Sequence, residues 1–190
     1  MININKRKSL ELYRKLVVNH KRNNNLGSFN NDGKDYALIL MEEIFNACKK
    51  EILIFAKGLG GELASEINYV KALKKFVEKG GKVSVLVENN YFLSDKKSAL
   101  FYLLQEKNSG NSNVSVRILK DGYAREVYSH FKFIHECNFL VGDDKITRIE
   151  LKPNNFKAIA NFHNVTRAKK LVSIFNKYFV DQTSEVLNAA

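Results

Sequence analysis

Residues 129–150 read SHFKFIHECNFLVGDDKITRIE and hold most of the side chains in this chain that could do chemistry. His130 and His135 offer imidazoles, Lys132 follows the first of them by two places, and Asp143 and Asp144 precede a β-like run. Such a set suits attack at phosphorus. The reaction needs a nucleophile, a proton donor for the leaving oxygen, and cations for the charge on the phosphoryl oxygens. A metal centre is the other chemistry these residue types allow, with His130, His135 and His163 converging on Glu136, Asp143 or Asp144. No HxH or HxxxH spacing is present. On a strand, positions 130 and 135 would also face opposite ways. The expectation is therefore no metal and no cofactor.

The elements that must position these residues follow from periodicity. Residues 36–50, YALILMEEIFNACKK, have helical apolar spacing through Leu38, Met41, Ile44, Phe45 and Cys48. EILIFAK is a continuous apolar run of strand length, as in a strand buried on both faces. INYVKALKKFVEKGG reads as a helix ending at a glycine cap, Gly80 or Gly81. KVSVLVEN is a second buried strand, SDKKSALFYLLQEK a helix with Ser94 as its N-cap, and NVSVRIL a third strand. After residue 120, FKFI, NFLVGDD, KITRIEL and FKAIANF are four strand-like pieces with no helix between them. FLVGDDKITRI reads as a hairpin turning at Gly142, Asp143 and Asp144. VTRAKKLVSIFNKYFV closes the pattern as a helix with Ala168, Leu171, Val172 and Phe175 on its apolar face. The fold class is α/β, a mixed and largely parallel sheet covered by helices.

Residues 1–32 read as a basic N-terminal arm or first helix, with seven basic residues against Glu11 between positions 6 and 22. Residues 33–183 form the domain, and 184–190 a C-terminal tail. The loop KGLGGEL follows a strand but lacks both the GxGxxG and the GxxxxGK[ST] pattern. It reads as a flexible loop at the carboxyl edge of the sheet, where ligands of open α/β sheets collect.

The formal net charge is +11. A balance this basic favours anionic partners, nucleic acid first. Tyr123, Arg125 and Tyr128 interleave aromatics with a cation near the histidines. Arg167, Lys169 and Lys170 cluster on the last helix. That mixture suits stacking on bases together with tracking of phosphates. Two cysteines, Cys48 and Cys137, without a CxxC exclude a disulfide framework and fit a cytoplasmic setting. The apolar run ALIL with Met41 is too short to span a bilayer, so no membrane insertion is expected.

The order of elements, together with NFLVGDDK, resembles the phospholipase D-like superfamily over about residues 35–182. The resemblance implies an H-x-K-x4-D motif and a later G-S-x-N segment. It also implies histidine as nucleophile, a second histidine as acid, lysine and asparagine on the phosphate, and dimerisation of single-motif members. Two placements of the motif compete. Taken literally, His130 and Lys132 fill it, but its aspartate position falls on Cys137. Anchored on Asp143, the motif puts Glu136 at the histidine and Asn138 at the lysine, with Glu150 and Leu151 where the serine segment begins. The second placement keeps strand and turn in phase. There Arg148 and Glu150 share a strand face and can pair in the room left by that segment.

The favoured reading is a catalytically degenerate domain that binds nucleic acid or supports a protein partner in a nucleic-acid-processing system. One alternative is an active metal-independent phosphodiesterase or nuclease working as a homodimer through His130, with Lys132 on the phosphate. The other is a protein-interaction subunit without nucleic-acid binding.

Overall fold

A computed structural model of the chain describes residues 4–24, 27–132 and 136–188. The strands are β1 (Phe29–Asn31), β2 (Glu51–Ala56), β3 (Lys82–Val87), β4 (Val114–Leu119), β5 (Asn138–Gly142), β6 (Ile146–Lys152), β7 (Lys157–Asn161) and β8 (Ser184–Val186). They form one sheet in the order β1-β7-β6-β5-β2-β3-β4-β8. The helices are α1 (Ile4–Arg22), α2 (Lys34–Ala47), α3 (Gly61–Ala64), α4 (Ile67–Glu78), α5 (Ala99–Asn108), α6 (Tyr123–Ser129) and α7 (Val165–Tyr178).

The continuous apolar runs make the centre of the sheet. Ile52, Ile54, Val83, Val85 and Val116 face one core, under Leu40, Ile44 and Phe45 of α2, Leu73 and Phe76 of α4, and Leu100 and Leu103 of α5. Leu53, Phe55, Leu86, Phe139 and Val141 face the other, under Val127 and Tyr128 of α6 and Ala168, Leu171, Phe175 and Tyr178 of α7. Alternation along each strand thus feeds two cores, and this is why neither face of these strands could be polar. Burying a side chain such as Phe55 or Leu73 stabilises by roughly 1.5–3 kcal/mol.

The expectation of a largely parallel sheet needs correction. Only β2–β3 and β3–β4 pair in parallel, and the other five pairings are antiparallel. The reason lies in the connections. α4 and α5 carry the chain back between β2, β3 and β4, as a parallel crossover requires, whereas β5, β6 and β7 follow one another through short turns. Phe131 and Lys132 of the expected strand FKFI lie in a bend and a turn after α6, and residues 133–135 fall outside the described part.

β1 and β8, from segments 1–32 and 184–190, sit at the two edges of the sheet, paired with β7 and β4. α1 packs on α2. Val17 is fully buried, Tyr13 meets Tyr36 edge-on at 5.0 Å, and Arg14 and Lys21 bond Glu43. The glycine cap of α4 is Gly80, in the left-handed region at φ 83°, with Gly81 N donating to the Phe76 carbonyl at 3.1 Å. The cap of α5 is Ser98 and not Ser94, since Ser98 Oγ accepts from Phe101 N at 3.0 Å. Residues 91–97 are held in turns that delay the helix. Among the described residues no helix is long and apolar enough to cross a membrane.

Candidate functional site

β5 runs between two polar groups, and the favoured register assigns motif positions to both. At its carboxyl end the chain turns through Asp143 and Asp144, at φ 47° and 57°, and Lys145 N donates to the Gly142 carbonyl at 3.1 Å. Two successive residues with positive φ make this a tight type I′ hairpin turn, the kind that asparagine, aspartate and glycine tolerate best. A Cβ on Gly142 would lie 2.3 Å from Cys48 Sγ, so glycine lets the hairpin close over the end of α2. The Asp143 carboxylate accepts from three backbone N–H groups of the α2–β2 connection: Lys49 at 2.8 Å, Lys50 at 2.9 Å and Glu51 at 3.1 Å. Asp143 therefore ties the hairpin to the start of β2.

The amino end of β5 lies five residues away, about 17 Å along an extended strand. Glu136 forms an ion pair with Lys57, the residue that follows β2. Asn138 Oδ1 accepts from Lys57 N at 2.9 Å, and Asn138 Nδ2 donates to Glu150 Oε2 at 2.5 Å. Glu150 faces Asn138 across the β5–β6 pairing, and its second oxygen accepts from Arg148 Nη2 at 2.8 Å. Arg148 and Glu150 are both buried. The expected pairing of these two residues is present. Beside this network Tyr128 donates to Glu88, which follows β3. Burial first, and then the Glu88 hydrogen bond, push the Tyr128 hydroxyl well above the ordinary tyrosine range. The hydrogen bond from Lys57 to Glu136 raises the lysine's pKa against a smaller opposing desolvation.

A cavity of about 130 Å³ opens behind the network, lined by Asn138, Arg148 and Glu150 and by Gly58, Gly60 and Tyr69. Both cations of this network are already held by a carboxylate, Lys57 by Glu136 and Arg148 by Glu150. With Glu88 beside them the group carries three acids and two cations. Such a site repels a phosphodiester more than it attracts one.

The literal motif lies elsewhere. His130 ends α6 and is exposed, with Nε2 3.2 Å from the Tyr178 hydroxyl. Lys132 is exposed in the turn that follows. His163 Nε2 lies 3.1 Å from the Lys21 carbonyl of α1, so His130 and His163 do not meet. His135 falls outside the described residues. Among those described, no group of three or more His, Cys, Asp or Glu could hold a metal.

Of the residues assigned to nucleic-acid contact, Arg125, Lys169 and Lys170 are exposed. Arg167 is half-buried. Tyr123 is half-buried against Tyr178, ring centres 6.3 Å apart. Tyr128 must be corrected. It is 8% exposed and packs on Phe55, so its ring is core and leaves no face for a base. The sequence reading did not include Lys57 or Glu88 at the site. Each is the first polar residue after a buried strand run, a position that puts side chains at the carboxyl edge of a sheet.

No protein-family model matches the chain, and no curated protein matches it. Solved structures do. Nuc, a phospholipase D family member from Salmonella typhimurium, superposes with a TM-score of 0.58 at 11% identity, covering 85% of this chain and 99% of its own. NucT from Helicobacter pylori gives 0.58 at 17% identity, over 85% and 100%. TrmBL2, described as an archaeal chromatin protein with a novel mode of DNA binding, gives 0.58 at 18% identity, over 96% of this chain and 62% of its own length. The chain has a phospholipase D-like fold.

Proposed function

We propose that this phospholipase D-like fold works without the superfamily's chemistry, binding nucleic acid or supporting a partner that processes it. The observation that carries the reading is the amino end of β5. Where the resemblance calls for histidine and lysine stand Glu136 and Asn138, engaged with Lys57 and Glu150. A carboxylate there disfavours a phosphate. The exposed cations Arg125, Lys169 and Lys170 lie on α6 and α7, over the opposite face of the sheet from α2 and α4. The fold likeness to TrmBL2, whose description names DNA binding, supports the same reading. The buried free cysteines suit a reducing cytoplasm. We propose a homodimer, as the resemblance implies.

The test has two arms. Binding to DNA or RNA is measured from low to moderate salt, and the affinity is expected to fall linearly on a log–log plot. Bis-nitrophenyl phosphate in EDTA is expected to survive. Hydrolysis that His130→Ala abolishes would overturn this reading in favour of a phosphodiesterase, for which the exposed His130 beside Tyr178 is the supporting observation. Failure to bind either nucleic acid at low salt would leave a protein-interaction subunit.

A further inference from the structure

The turn after β3 presents one bare aromatic ring. Tyr91 is 79% exposed, the only aromatic among the exposed large apolar side chains of the described residues. A single exposed ring is ordinary on a protein surface. What sets this one apart is how firmly its turn is held. Tyr91 N donates to Asn89 Oδ1 at 3.3 Å. The next residue, Phe92, lies so close over the glycine loop that a Cβ on Gly60 would come within 2.3 Å of its ring. Ser98 Oγ donates to the Phe92 carbonyl at 3.2 Å, and Ser65 Oγ donates to Asp95 at 2.8 Å. The backbone is thus fixed on both sides of Tyr91 while the ring touches solvent.

The place also matters. The turn stands at the carboxyl ends of β2 and β3, the edge where open α/β sheets gather ligands. Lys96 and Lys97 are exposed on the same turn, and neither side chain is paired with a carboxylate among the described residues. A pre-positioned aromatic on a turn that also carries two exposed cations matches what unpaired bases and their phosphates require. In a duplex the base faces are already stacked.

We propose that Tyr91 is a base-stacking platform, and that the preferred ligand is single-stranded nucleic acid whose backbone passes Lys96 and Lys97. This inference rests on the nucleic-acid reading above. The experiment compares fluorescence anisotropy of a labelled oligothymidylate and of a duplex of equal length, at fixed low salt, with the full chain and with Tyr91→Ala and Tyr91→Phe. Tyr91→Ala is expected to bind the oligothymidylate about 10-fold more weakly. Its duplex affinity and the salt slope for both ligands should not change, and Tyr91→Phe, which keeps the ring, should bind like the parent. Equal binding of the oligothymidylate by Tyr91→Ala and the parent would overturn the inference and leave the nucleic-acid reading standing. Absence of binding to either ligand by the parent would overturn both. Because the ring is exposed, the substitution does not threaten the fold.

Discussion

Arg148 and Glu150 stand two residues apart on β6, on the same face, and hold each other across 2.8 Å with both side chains 6% exposed. Glu150 takes a second hydrogen bond from Asn138, so both of its oxygens are satisfied. Removing one member of a buried pair strands the other charge, while removing both together leaves no uncompensated charge. Arg148→Met and Glu150→Leu are each expected to lower stability by about 3–5 kcal/mol. The double variant should lose clearly less than the sum of the two. Urea unfolding of all four proteins gives the coupling. Additive losses would mean that the pair does not act as a unit.

Asp143 fits a motif by sequence but acts as a connector by geometry. Three backbone N–H groups of the α2–β2 connection end on its carboxylate. Asp143→Ala leaves those donors without their acceptor, and a loss of about 2–4 kcal/mol is expected. Asp143→Asn, which keeps one acceptor oxygen and tolerates positive φ, should lose less than half of that. Nucleic-acid affinity of the folded fraction should not change in either variant. A loss of affinity at unchanged stability would show that Asp143 contacts ligand.

Much of this arrangement was legible in the sequence, for physical reasons that differ by element. β2 and β3 were visible because both of their faces are buried, so every residue from Ile52 to Ala56 had to be small or apolar. The hairpin was visible because only a few residue types adopt positive φ twice in succession, as Asp143 and Asp144 do. Arg148 and Glu150 were visible as a pair because strand alternation is local. β1 and β8 were not visible. At three residues each, they take their hydrogen bonds from β7 and β4 and carry little pattern of their own. The Lys57–Glu136 pair joins residues 79 positions apart, a contact that only the β2–β5 pairing creates. Tyr128 misled because an aromatic beside a cation looks the same in sequence whether its ring faces solvent or Phe55.

The two thiols give a pH dependence whose sign can be worked out. Burial pushes the Cys137 thiol up to about 12, with the Glu150 carboxylate adding to it, and burial pushes the Cys48 thiol higher still. In the unfolded chain a thiol ionises near pH 8.5. Both groups stay protonated in the folded protein where the unfolded chain has already lost its protons. Their contribution to stability is therefore complete below about pH 8.5 and falls as pH rises toward the folded values. Each thiol steepens the decline by up to about 1.4 kcal/mol per pH unit. The urea midpoint should drop between pH 8.5 and 10, and the drop should be shallower in Cys48→Ala/Cys137→Ala. An unchanged slope in that double variant would show that other groups control the alkaline limb.

The cations of α7 provide the sharpest electrostatic prediction. Lys169 and Lys170 are exposed, and neither pairs with an acid among the described residues. Replacing both with alanine should leave stability within about 0.5 kcal/mol. If both contact phosphates, each contributes about 0.7 to the slope of log affinity against log salt on a single strand. Lys169→Ala/Lys170→Ala should then flatten that slope by roughly 1.4 and weaken binding most at low salt. Arg167 makes a poorer probe, because it is half-buried and its replacement would mix packing with charge. A slope unchanged in the double variant would move the phosphate path off α7. Lys96 and Lys97, on the turn of Tyr91, would then be the next to replace, followed by Lys8, Lys15 and Arg22 along one side of α1, which are also exposed.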